Sequence, residues 1–319
     1  MLAVIEITIW HWVGFIVGVL IFVGLDLFVF HRETRRVTFK NALFWTGVCF
    51  VLAVAFGALL LFTRGKDEAT EFIAGYIIEL SLSMDNVFVI ALIFAYFRVP
   101  TEYQHRVLFI GFINALIMRG AFIGIGTAVV SRFHWVLYLL GAFLVYSALK
   151  MFFSTESGVH PEKNPMIKLA QTILPVTTHF EGTRFWTRLD GRVALTPLTL
   201  VWLMVETTDL VFAVDSIPAI FAVTTKPFIV FTSNIFAILG LRSLYFVLVG
   251  AIEYFRYLKF GLSIVLAFVG VKMLTEKWIP ISTAMSLLIV AAILFSAVAA
   301  SILLVKREPQ GKSAPPLEP

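Results

Sequence analysis

Charge is scarce in this chain: Asp, Glu, Lys and Arg make up 14% of its 319 residues, against about a quarter in ordinary soluble domains. Cysteine is scarcer still. Cys49 stands alone, so the chain can close no disulfide within itself and cannot assemble a thiolate cluster for zinc or iron–sulfur. The Gly-x-x-x-x-Gly-Lys-Ser/Thr phosphate loop is missing, which argues against ATP-driven work. The Gly-x-Gly-Asp signature is missing too, which argues against an intramembrane aspartyl protease and leaves no enzyme reading with support. The net charge of +5 and pI near 9.3 come from bases spread over short loops, not gathered on one element, so a nucleic-acid partner is not implied.

What is abundant is apolar. Sixty percent of the residues are hydrophobic and the mean hydropathy is +0.93, so the main solvent is lipid. A bilayer core of roughly 30 Å needs about 20 apolar residues per helix. Such stretches lie at 9–30, 41–62, 72–97, 106–130, 134–153, 196–221, 228–250, 258–275 and 280–305, which predicts an all-α membrane protein of about nine transmembrane helices. The first stretch lacks a small-residue cleavage site and is expected to be retained. Assigning Lys and Arg to alternate loops gives 16 on one side against 5 on the other. By the positive-inside rule the N-terminus is then outside and the C-terminus cytoplasmic. Trp10, Trp12, Trp135 and Trp278, near span ends, are expected as interfacial anchors.

Spans three to five and six to eight share landmarks. Asp85, Arg119 and Lys150-Met151 match Asp209, Arg242 and Lys272-Met273, with spacings of 34 and 31 against 33 and 30. A three-span unit repeated once enters the membrane from opposite sides, which predicts two inverted three-helix repeats. The chain accordingly divides into a two-span unit (1–62), a first repeat (72–153), a cytoplasmic linker (154–195), a second repeat (196–275), a final span (280–305) and a disordered cytoplasmic tail (306–319).

Span three carries Glu79, Asp85 and Asn86, and span six carries Glu206, Asp209, Asp215 and Ser216. A carboxylate at mid-bilayer costs about 2.5 to 3.5 kcal/mol, so five cost on the order of 12 to 17 kcal/mol before any partner is found. At 100° per residue Glu79, Ser83 and Asn86 form one oxygen-bearing stripe, with Asp85 on its flank. Glu206, Asp209 and Ser216 share a face, while Asp215 lies nearly opposite Glu206 unless a kink at Pro218 swings it inward. Oxygen donors of these types suit hard divalent cations. The expected site is therefore a transported cation, foremost Mn²⁺ with Ca²⁺ as the other fit, and no tightly bound cofactor. Two other readings fit the same residues: buried ion pairs with Arg119, Arg242, Lys150 and Lys272, and a proton relay, which is compatible with a metal site in an antiporter. His160-Pro-Glu162 and His179-Phe-Glu181 in the linker read as ordinary solvated loop residues.

Two strings carry a resemblance. Glu79-Leu-Ser-Leu-Ser-Met-Asp85-Asn86-Val-Phe-Val and Glu206-Thr-Thr-Asp209-Leu-Val-Phe-Ala-Val-Asp215-Ser216-Ile-Pro218 resemble the TerC family of integral membrane proteins. The likeness continues through Lys226 to Arg242. It implies a bacterial inner-membrane protein related to the lysine-exporter superfamily, tied to tellurite resistance and manganese homeostasis, that exports Mn²⁺. On this resemblance Glu79, Asp85, Asn86, Glu206, Asp209, Asp215 and Ser216 match the family's acidic motifs. Five carboxylates would repel an oxyanion such as tellurite. A membrane scaffold whose carboxylates only lock the bundle is the remaining alternative.

Overall fold

The computed structural model describes residues 7–31, 39–153, 161–189, 191–249 and 258–305. The expectation for the tail at 306–319 lies outside them, as do His160 and the bases of 32–38 and 250–257. A helix occurs at each of the nine predicted stretches: α1 (Ile9–His31), α2 (Phe39–Thr63), α3 (Lys66–Tyr96), α4 (Thr101–Arg132), α5 (Val136–Phe153), α7 (Pro197–Phe221), α8 (Pro227–Val249), α9 (Leu258–Thr275) and α10 (Thr283–Val305). Six of them, α2, α3, α4, α5, α7 and α10, are long and apolar enough to cross a bilayer, and α8 makes a seventh if its two parts, bent by 51°, form one span. Among the described side chains of α1 the apolar run is Ile9–Leu25, and α9 carries Lys259 and Lys272 within 18 residues. Helices overrun their apolar stretches where the flanking chemistry favours it. Thus α3 starts at Lys66, with Asp67 and Glu68 in the first turn, where carboxylates complement the helix dipole.

The linker carries secondary structure of its own. It holds a 3₁₀ turn (Pro161–Lys163), helix α6 (Pro165–Ile173) and an antiparallel hairpin of β1 (Trp186–Leu189) and β2 (Arg192–Leu195). Gly191, just before β2, sits at φ +78°, where a side chain would be strained. The hairpin plugs into the start of α7: Thr196 Oγ1 donates to Arg184 O at 2.7 Å, and Thr199 Oγ1 donates to Phe185 O.

Around the centre, α3 and α8 are deeply buried, with Phe72, Ser83, Asn86 and Ile93 of α3 each 2% exposed or less and Ile229, Thr232, Asn234 and Ile238 of α8 each at 0%. Helix α2 packs a small-residue face of Ala42, Cys49, Ala53 and Gly57 inward and leaves Phe44, Val51 and Phe62 outward. In lipid such small faces let helix backbones approach closely. Paired contacts fix the helix directions. Helices α5 and α9 run antiparallel over their full length, with Gly141 against Gly270 at one end and Phe152 against Phe260 (5.6 Å between rings) at the other. Helices α4 and α8 are antiparallel, with Gln104 bonded to Tyr245 and Gly120 against Phe231. Helices α3 and α8 are parallel, as Phe72–Phe236 and Phe94–Tyr245 show, and so are α4 and α7, through Gly111–Val205 and Gly126–Phe221. Trp10, Trp135 and Trp278 are exposed as interfacial anchors should be, but Trp12 is half-buried and packs on Phe228 and Phe231.

Candidate functional site

The predicted stripe on α3 points inward. Glu79, Ser83 and Asn86 are 1%, 0% and 2% exposed, and Asp85 on the flank is half-buried. Glu79 is ion-paired with Arg119 of α4, which is itself 1% exposed and donates through Nη1 to Asn234 Oδ1 of α8 at 3.3 Å. Asp209 of α7 lies within electrostatic range of Arg119 and of Glu206. Glu206 Oε1 accepts from Asn114 Nδ2 at 3.0 Å and from Trp202 Nε1 at 2.7 Å. Helices α3, α4, α7 and α8 thus contribute Glu79, Arg119, Asn114, Glu206, Asp209 and Asn234 to one polar zone. Beside it lies a cavity of about 30 Å³, bounded by Glu206, Asp209, Gly111, Ala115, Val205 and Tyr245. That is space for one or two water molecules.

Asp215 and Asp85 stand apart from this zone. α7 continues through Pro218 to Phe221, and the proline does not bring Asp215 round to Glu206. Asp215 instead accepts from Ser147 Oγ of α5 at 2.8 Å and lies within range of Lys150. Asp85 lies within range of Lys259 at the start of α9. Asp85 and Asp209, paired as landmarks in the sequence, therefore occupy different surroundings: Arg119 pairs with Glu79 and lies within electrostatic range of Asp209, not of Asp85. Among the described residues no three carboxylate, imidazole or thiolate side chains converge on one point.

Several of the singled-out residues carry buried polar atoms without a hydrogen-bonding partner: Glu79 Oε2, Ser83 Oγ, both amide atoms of Asn86, Asp209 Oδ2 and Ser216 Oγ. Buried polar groups are normally paired, because desolvating one without a partner costs about 1 to 3 kcal/mol. They are concentrated on the buried faces of α3 and α7. Asn114, Arg119, Ser147 and Asn234 complete the surroundings. In the sequence Asn114 precedes Arg119 as Asn234 precedes Arg242, which marks the two amides only as counterparts in the repeats, and a serine one turn before Lys150 on an apolar helix is the signal that points to Ser147.

Of the basic residues in spans, Lys272 donates to Ala222 O at 3.1 Å and so caps the C-terminal end of α7. That end is also tied to α3, where Glu71 accepts from Thr224 Oγ1 at 2.8 Å and forms an ion pair with Lys226 at 3.1 Å. The side chain of Arg242 lies outside the described residues.

A helical bundle that buries carboxylates, amides and an arginine between its longest apolar helices defines a polytopic membrane protein with a polar zone in its interior. The chain belongs to the integral membrane protein TerC family, whose profile matches residues 64–310. It is similar to "Uncharacterized membrane protein STKORF319" of Myxococcus xanthus, 46% identical over 305 residues and covering 96% of each chain. It is also similar to "Putative membrane-bound redox modulator Alx" of Escherichia coli (strain K12), 42% identical over 292 residues, 89% of this chain and 91% of the relative. A membrane protein of Rickettsia felis is 36% identical over 92% of this chain and 97% of its own. No solved structure matches.

Proposed function

We propose that this protein is a secondary transporter that exports a hard divalent cation, foremost Mn²⁺, across the bacterial inner membrane, with protons as the coupling ion. The observation that carries the reading is the set of partnerless buried oxygens on α3 and α7, from Glu79, Ser83, Asn86, Asp209 and Ser216, beside a water-sized cavity at Glu206 and Asp209. Carboxylate, amide and hydroxyl oxygens are the donors that Mn²⁺, Ca²⁺ and Mg²⁺ prefer.

The packing supports nine spans arranged as two inverted repeats. Exchanging α3 with α7, α4 with α8 and α5 with α9 converts the parallel pair α3·α8 into the parallel pair α7·α4. The antiparallel pairs α4·α8 and α5·α9 map onto themselves. A two-fold axis in the membrane plane produces that pattern, and the site where the copies meet is where such transporters bind substrate. The same exchange favours a different register from the sequence landmarks. Glu79-x₅-Asp85-Asn86 matches Asp209-x₅-Asp215-Ser216. The first acid of each set shares Arg119, and the second faces the third helix of the opposite repeat, α9 for Asp85 and α5 for Asp215.

Mn²⁺ flux into proteoliposomes under an imposed pH gradient, with Ca²⁺ as competitor, tests the proposal. Wild-type flux that disappears in Glu79→Gln, Asp209→Asn and Asp215→Asn is the expected result. Absence of wild-type flux under gradients of either sign sinks it. The Glu79–Arg119–Asn234 lock favours the second reading, a membrane scaffold or assembly partner linked to metal or tellurite stress, since the arginine already neutralises one acid. The redox role in the name of the Alx relative finds no dithiol here, because Cys49 is the chain's one cysteine.

A further inference from the structure

Helix α6 presents three faces. Ile167 is 2% exposed and turns into the protein, whereas Met166, Leu169 and Ile173 are 46%, 54% and 66% exposed. At 100° per residue those three side chains fall within about 60° of arc, so they form one outward apolar stripe. Lys168, Gln171 and Thr172 occupy the remaining face and are all exposed. A solvated helix would not turn a second apolar stripe to water.

Its position explains the stripe. Asn164 caps α6 by accepting from the amides of Met166 and Ile167 at 2.9 and 3.2 Å, and its Nδ2 reaches Met204 Sδ at 3.2 Å. Met204 lies seven residues into α7, about 10 Å along the axis from Pro197. Beyond the other end of α6, Leu195 N donates to Pro175 O and Thr177 N donates to Leu195 O, both at 2.8 Å, just before α7 begins. α6 therefore runs antiparallel to α7 beside its first turns, from the depth of Met204 to the mouth of the span. Around that mouth Trp186 is 69% exposed, and Arg184, Arg188 and Arg192 are exposed as well. Apolar stripe, tryptophan and bases at one level are the chemistry of a headgroup boundary carrying anionic lipid.

We propose that α6 and the β1–β2 hairpin form an interfacial anchor. The Met166–Leu169–Ile173 stripe lies among the upper acyl chains of the leaflet on the N-terminal side of α7, with the N-terminal end of α6 deeper than its C-terminal end. The anchor stands whether or not the bundle transports a cation.

The test uses the full chain carrying Cys49→Ser, reconstituted in phosphatidylcholine and phosphatidylglycerol liposomes. An environment-sensitive fluorophore is attached in turn at Met166→Cys, Leu169→Cys, Ile173→Cys and Gln171→Cys, and bromine-labelled lipid serves as quencher. Blue-shifted emission and strong quenching are expected at positions 166 and 169, with weaker quenching at 173 and emission typical of water at 171. Three positions report on the stripe, so failure of one variant to fold leaves two. Equal emission at 169 and 171 overturns the proposal. Blue-shifted emission at 169 that brominated lipid does not quench also overturns it, and shows that protein covers the stripe.

Discussion

Glu79 and Arg119 are both 1% exposed, and each is the other's compensation for leaving water. Removing one partner of a buried pair strands the other and costs about 3 to 5 kcal/mol, far more than the pair itself contributes. Arg119→Gln should therefore lower the unfolding midpoint in detergent sharply, and the double variant Glu79→Gln with Arg119→Gln should recover most of the loss. Equal midpoints for the single and double variants would show that the pair is not the contact that matters. Asp215 poses the opposite case, because Asp215→Asn keeps an oxygen for Ser147 Oγ while removing the charge. Stability should change little, and Mn²⁺ flux should fall about tenfold or more, a loss of about 1.4 kcal/mol in the rate-limiting interaction. Flux at the wild-type level would take Asp215 out of the cation path.

Among the helices, α5 and α9 depend on glycine for their approach. A Cβ on Gly270 would stand 2.8 Å from Gly141 O, and a Cβ on Gly141 would stand 3.1 Å from Gly270 O, so the two backbones touch. Gly270→Leu must drive the helices apart, and overpacking of this kind costs about 1 to 3 kcal/mol. Thermal unfolding should show a lowered midpoint for Gly270→Leu and none for Gly124→Ala, since a Cβ at Gly124 meets nothing within 4 Å. The hairpin gives a second lesson at this scale. The Asp190-Gly191 dipeptide between Trp186–Leu189 and Arg192–Leu195 is a readable turn signal, yet the chain from 154 to 195 reads from its composition only as a linker.

For the whole molecule, the ends of the spans should separate into two chemical sides. The basic bias of 16 against 5 predicts the hairpin on the cytoplasmic side and Lys226 on the other. In a Cys49→Ser background, a membrane-impermeant thiol reagent applied to right-side-out cells should label Lys226→Cys and spare His179→Cys, with the pattern reversed in inverted vesicles. Labelling of both from one side would overturn the orientation.

Hydropathy alone located a helix at every predicted stretch, because a lipid solvent demands long apolar helices wherever the chain crosses it. It also identified the inward stripe of Glu79, Ser83 and Asn86, because helical periodicity and the cost of burying polar groups both act along one segment. What only the tertiary structure decided was which acids meet. Asp85 and Asp209 look like counterparts in sequence, but Arg119 pairs with Glu79 and lies within electrostatic range of Asp209, and Ser147 of another helix donates to Asp215. Partnership across helices depends on how each helix is rotated and which way it runs against its neighbour. Those choices are set by contacts such as Gly141 on Gly270 and Gly111 on Val205, between residues scores of positions apart. The depth of α6 was hidden for the same reason, since nothing local to 165–173 specifies that Asn164 reaches Met204 inside the span.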